Sequence, residues 1–202
     1  MIDFEAIRLY LPKYLSVSSE QNLFENLNDF PENIDSRMYS VIDLNDEIIF
    51  QGDGVEGLLV INFPDKTIKE ARVIILSNTC DIDVNNVHMY ATSICYSPIF
   101  NLSKYIKRLE TKNVSSPEKI QQFAESIRKQ KISQIFFLPK GGKLKSDSFI
   151  FFNKINSCDN HSIPREELSK KKLFSLSNYG FYLFLFKLSI HFSRIRESID
   201  RG

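Results

Sequence analysis

The chain has 202 residues, 43% of them hydrophobic and 25% charged, and a formal net charge of +1. A chain of this length buries a core without disulfides or a structural metal, and its composition is ordinary for a soluble globular domain. Three widely separated cysteines, Cys80, Cys95 and Cys158, argue against a disulfide framework and for a reducing, cytoplasmic setting. The start, Met1-Ile2-Asp3-Phe4-Glu5, lacks a signal-peptide charge pattern, and the most apolar run, 181–192, contains Lys187 and His191. That run is too short to cross a bilayer, so no membrane partner is expected. The near-neutral total hides an asymmetry: residues 1–100 hold 6 Lys/Arg against 16 Asp/Glu, and residues 101–202 hold 20 against 9. Either the basic half meets nucleic acid or an acidic partner, or the two halves pack together and neutralise each other.

Residues 3–15 place Phe4, Ile7, Leu11 and Leu15 near one helical face, with Asp3 as N-cap and Pro12 as a kink. A second helix starts at Ser18-Ser19-Glu20, is striped by Leu23, Phe24 and Leu27, and stops at Pro31. Over 40–98 the pattern turns to short strands: 41–42, 47–50, 57–61, 71–76 and 88–92, punctuated by Gly52-Asp53-Gly54, Pro64-Asp65 and Asn85-Asn86. Such spacing predicts a small, bent antiparallel barrel, with Gly52, Gly54 and Gly57 at bends or bulges. Helices follow over 101–110 and 116–131, the second opening Ser116-Pro117-Glu118 as cap and first turn. Strands over 133–138 and 148–153 return to the barrel across Pro139-Lys140-Gly141-Gly142-Lys143, and a short helical stretch begins at Ser162. The last helix, 177–198, is apolar all round from Phe181 to Phe186. It is either the central helix of the core or a face completed by a partner protein or a second copy.

The stretch 71–83 begins as a buried strand and ends in a polar cluster, Ser77-Asn78-Thr79-Cys80-Asp81. Strand ends opening into loops are common places for sites. Cys80 beside Asp81, with His88 nearby, can be written as a thiol–imidazole–carboxylate set, although a neighbouring carboxylate disfavours the thiolate. The bland alternative has Asp81 capping the turn through backbone N–H groups and Cys80 filling space beneath it. Cys158-Asp159-Asn160-His161 is half of a zinc site at most, wanting two further ligands such as Cys80 and His88. No metal and no cofactor is expected. Lys140, Lys143 and Lys145 lie in a glycine-containing turn that lacks phosphate-loop spacing and that can touch a nucleic-acid backbone.

Two resemblances add to this. Arg72-Val73-Ile74-Ile75-Leu76-Ser77-Asn78, His88-Met89-Tyr90-Ala91-Thr92-Ser93 and Gln51-Gly52-Asp53 resemble the central strands and opening Gly-Asp of the MazF/PemK toxins. The likeness spans about 48–98, and Arg72-Val73 stands where that family has Arg-Pro. It implies a metal-independent endoribonuclease with Arg72 and Thr92 as the catalytic pair. A wider likeness is to poorly characterised bacterial proteins sharing a Ser-x-x-Cys-Asp-Ile motif, here Ser77, Cys80, Asp81 and Ile82, and a Leu-Ser to Phe-x-Arg ending at Leu176-Ser177 and Phe192-Ser193-Arg194.

The expected fold is thus α+β in a single domain, a small SH3-like, MazF/PemK-like antiparallel β-barrel with flanking helices and a long apolar C-terminal helix. A helical extension occupies 1–39, the barrel with inserted helices 40–153 and a helical region 154–202. The expected function is a cytoplasmic bacterial binding or interaction module, an accessory of a toxin–antitoxin or phage-defence system. The MazF-like endoribonuclease is the alternative. Its partners would be a protein or second copy at the C-terminal helix, and nucleic acid.

Overall fold

The structure is a computed structural model and describes residues 34–41, 48–163 and 165–193. The two expected N-terminal helices, over 3–15 and from Ser18, lie outside these residues. The chain builds a seven-stranded sheet with all ladders antiparallel. Strands β1 (Gly54–Asn62) and β2 (Asp65–Ile75) form a hairpin. Its register shifts between Glu56 and Leu58, where Gly57 takes φ +87°, a conformation that L side chains rarely adopt.

Strand β3 (Ser93–Asn101) is the hinge of the architecture, because three strands share it. One edge meets β2 over Val73 to Ile75. The other meets β5 (Ser148–Phe151) at Ile99 to Asn101 and β6 (Asn156–Asp159) at Ser93 to Tyr96. Strand β4 (Ile135–Leu138) lies outside β5, and β7 (Lys172–Phe174) lies outside β1. The helices are α1 (Ile34–Arg37), α2 (Thr79–Ile82), α3 (Leu102–Thr111), α4 (Pro117–Arg128), α5 (Leu168–Lys171) and α6 (Asn178–Ser193). Asn101 caps α3 by accepting the Lys104 N–H at 2.8 Å, and Ser116 caps α4 ahead of its Pro117.

Two cores fill the two faces. One gathers Phe136, Phe137, Phe149, Phe152 and Phe184 with aliphatic residues of α1, α4 and α6. Here Phe184 of α6 meets Phe136 edge-on at 5.3 Å. The other, on the opposite face, gathers Val55, Val60, Val73, Ile75, Ile94 and Tyr96 under Ile82, Ile163 and Leu168. Gly180 is required in α6, because a Cβ there would run into the Met38 carbonyl of the crossing chain.

The expected barrel is not formed. The sheet is open, running β4-β5-β3-β2-β1-β7 with β6 beside β3. β1 bends over the second core toward β6, but side chains and not a ladder bridge the gap: Tyr96 Oη donates to the Leu59 carbonyl at 2.6 Å, and Ile61 N–H donates to Asn156 Oδ1 at 2.8 Å. Among the described residues the long, all-round apolar C-terminal helix is absent too. Described α6 is 16 residues, about 24 Å of helix. It buries Phe184 and Lys187 and turns Phe186, Ile190 and Phe192 outward. Among the described residues no helix is long and apolar enough to cross a membrane. Residues 88–92, expected as a strand, form bends, and the strand begins at Ser93. Residues 48–50 are likewise not a strand.

Two buried cations lock the ends of this sheet. Asp53 and Lys172, 1% and 7% exposed in their side chains, pair at 3.1 Å. Lys172 Nζ also donates to the Ile48 carbonyl at 2.9 Å, and Asp53 accepts the Phe50 N–H at 3.0 Å. Burial pushes the Asp53 carboxyl up, against the pull of Lys172. Removing one member of a buried pair strands the other charge, so Lys172→Met is expected to cost about 3 kcal/mol in urea unfolding, with part of the loss recovered in Asp53→Asn/Lys172→Met.

Lys187 pairs with no carboxylate among the described residues. Its ammonium donates to the Gln130 carbonyl at 2.8 Å, to Gln130 Oε1 at 3.0 Å and to the Ile132 carbonyl at 3.0 Å. Gln130, at φ +54°, in turn holds both backbone groups of Phe137 in β4. Burial pushes the Lys187 ammonium down to about 7, below the roughly 10.4 of an unfolded lysine. Between those values the unfolded chain binds the extra proton, so stability rises with pH through that window and the penalty is fully present beneath it. The urea midpoint is expected to climb from about pH 7 to about pH 9, and the climb to vanish in Lys187→Met.

Candidate functional site

One surface groove lies where β3 runs into α3 without a loop. It has a volume of about 470 Å³ and is floored by Phe100, Tyr105 and Phe151 and rimmed by Arg108, Lys112 and Lys154. Asn62, at the end of β1, and Leu109 complete it. Local sequence explains the assembly. Tyr105, Arg108 and Leu109 fall at helical spacings of three and four, so they form one stripe of α3, and Lys112 follows as its C-cap residue. Phe149 and Phe151 alternate in β5 and share a face, and Phe149 stands directly opposite Phe100 in the ladder.

Phe149 is fully buried beneath the partly buried rings of Phe100, Tyr105 and Phe151. Tyr105 meets Phe149 at 5.1 Å and Phe151 at 6.0 Å, and Phe100 meets Phe151 at 5.7 Å. Arg108 and Lys112 are exposed and pair with no described carboxylate. Lys154 Nζ reaches Asn62 Oδ1 at 3.5 Å. Cations around an aromatic floor suit an anion that also carries a flat or apolar part. A second groove, of about 310 Å³ between α3 and α4, has Glu110 in its wall and no aromatic ring.

The residues singled out from sequence sit elsewhere. Arg72, in β2, stands opposite Glu56 in the ladder and pairs with it at 3.7 Å, both half-exposed. Thr92 is buried, its hydroxyl accepting from Asn160 Nδ2 at 3.1 Å. The same amide donates to the Ile82 carbonyl at 3.1 Å, and Arg165 in turn donates to Asn160 Oδ1 and, at 3.4 Å, to the Ile82 carbonyl. Thr92 therefore helps hold the 78–83 turn against β6. No hydrogen bond or ion pair joins it to Arg72 among the described residues.

In the motif itself, Ser77 Oγ accepts the Cys95 N–H at 2.7 Å and fastens the end of β2 to β3. Asn78, not Asp81, caps α2, taking the Cys80 N–H at 2.9 Å. Asp81 is exposed, and Cys80 is exposed instead of filling space beneath the turn. His88 faces the Tyr90 ring at 5.4 Å, and no hydrogen bond links it to Cys80 or Asp81 among the described residues. Cys158 packs on the second core, where burial pushes its thiol up, while His161 is exposed beside Asp159 at 3.2 Å. Among the described residues no three His, Cys, Asp or Glu side chains gather into a metal-ligating group.

The 139–147 turn is tied down. Tyr39 Oη donates to the Pro139 carbonyl at 2.6 Å, Lys140 N–H donates to Asp147 Oδ1 at 3.1 Å, and Lys143 Nζ donates to the Ser169 carbonyl at 3.0 Å. None of Lys140, Lys143 and Lys145 lines the aromatic groove. Sequence reasoning missed the groove, although the helical stripe of Tyr105, Arg108 and Leu109 was a readable signal. No protein-family model matches the chain, and no curated protein is similar enough to match it.

Cys80 and Cys158 sit in opposite environments, which sets an order of reactivity. Native protein treated with a thiol-specific disulfide reagent is expected to react fastest at Cys80. Cys80→Ser should abolish that fast phase while shifting stability by less than about 0.5 kcal/mol.

Proposed function

We propose that the protein is a binding module, and that its ligand is a polyanion held in the groove between α3 and the β3–β5 pair. The observation that carries this reading is the grouping of Arg108, Lys112 and Lys154 round one aromatic floor, with no described carboxylate to neutralise them. The excess of basic residues over 101–202 gives the same surface a favourable long-range field. Three free cysteines agree with a cytoplasmic setting. The accessory role in a toxin–antitoxin or phage-defence system belongs to the same proposal and rests on the sequence resemblance. The outward stripe of Phe186, Ile190 and Phe192 on α6 remains the surface for a protein partner within it.

The endoribonuclease alternative has weaker support. It needs Arg72 and a free Thr92 hydroxyl at one phosphate, and that hydroxyl is buried against Asn160. Chromatography on immobilised heparin tests the binding module. The wild-type chain should be retained at low salt and released as salt rises, and Arg108→Ala/Lys112→Ala should elute at clearly lower salt. Flow-through of the wild-type chain at low salt would refute the reading. RNA cleavage that disappears in Arg72→Ala would favour the enzyme instead.

A further inference from the structure

Resting on that reading, we infer that the polyanion is a single-stranded nucleic acid, with an unpaired base seated on the aromatic floor and its phosphates on the cationic rim. A purely ionic ligand explains Arg108, Lys112 and Lys154 but gives no role to the rings. Phe100, Tyr105 and Phe151 pack against the core that takes Phe149, yet each keeps part of its surface open along the groove. Phe151 meets Phe100 at 69° and Tyr105 at 65°, so no parallel stack closes the groove. A flat guest would contact the ring surface that lines it, and every nucleobase offers a flat face.

The strandedness follows from the same geometry. A duplex hides its base faces inside the stack and offers only edges and phosphates, so an aromatic lining selects unpaired bases. The rim is arranged for a backbone passing along the floor. Arg108 lies in the last turn of α3, and Lys112 is the residue that caps its C-terminus. Lys154 faces them from the turn between β5 and β6. Asn62 supplies the single side-chain amide of the lining, a group that both donates and accepts and so can meet a base edge. The volume of about 470 Å³ lies within the range of ordinary ligand pockets, which is room for a nucleotide unit and not for a double helix.

The test is fluorescence anisotropy with a labelled single-stranded RNA and its DNA equivalent, the matching duplex, and heparin as competitor. The variant is Tyr105→Leu, which keeps apolar bulk and removes the ring face. A thermal melt confirms that it folds. Both single strands, or one of them, should bind more tightly than the duplex, and affinity should fall as salt rises. Tyr105→Leu should weaken single-strand binding by roughly 5-fold or more, and heparin binding by a clearly smaller factor. If heparin binds but single strands bind no better than duplex, or if Tyr105→Leu weakens both ligands alike, the nucleic-acid inference falls and the polyanion reading stands. If neither heparin nor any nucleic acid binds at low salt, both fall.

Discussion

The sheet depends on one buried ion pair. Asp53 sits at the entrance to β1 and Lys172 opens β7, and each is held by backbone as well as by the other. The Asp53 carbonyl accepts the Ile75 N–H, so the same residue also fixes the end of β2. Gln51 adds to the joint, donating its backbone N–H to the Thr79 hydroxyl oxygen at 3.0 Å and its side-chain amide to the Leu76 carbonyl at 2.7 Å. A carboxylate and an ammonium this deep are costly to desolvate, and they are tolerable only because their remaining hydrogen-bond capacity is filled. In return, three strands and two connecting segments meet in one register.

From that joint the two faces of the molecule separate. β2 runs beside β3 for only three residue pairs. Beyond them the β1–β2 hairpin swings over the second core, while β3 continues toward β5 and β4. The absence of a closing ladder is a consequence of this divergence. Two strand pairings compete for the length of β3, and the side chains of Tyr96 and Asn156 satisfy the backbone groups of β1 that a closed barrel would have paired. The divergence also makes room for α3 to leave the end of β3 directly, which brings a helical stripe beside the aromatic residues of β5 and the tip of β1.

Local signals made part of this readable. The helix over 101–110, the cap at Ser116 and the apolar runs of β4 and β5 are each encoded within a few residues, and each formed. β6 was not readable, because Asn-Ser-Cys-Asp has no apolar alternation and becomes a strand only by pairing with β3. β3 itself carries Pro98, which argues locally against a strand interior, yet the residue sits opposite Val73. The expected barrel failed for a global reason: short strands at regular spacing fit an open sheet as well as a closed one. The groove lay halfway between. Its helical stripe is visible in sequence, but its partners Phe100, Phe151, Asn62 and Lys154 come from three other segments, and only the tertiary fold brings them together.

The pairing of Lys172 with the segment before β1 has a consequence for how the chain is made. The contact from Lys172 to the Ile48 carbonyl spans 124 residues. At a synthesis rate on the order of 10 residues per second, the early segment waits roughly ten seconds for its partner. Throughout that interval the β1–β2 hairpin can form locally, but Asp53 has no ammonium to enter the core with. The carboxylate therefore keeps the nascent sheet hydrated at one corner until β7 emerges. Dry packing of that corner waits for Lys172, which lies shortly before α6 in the chain.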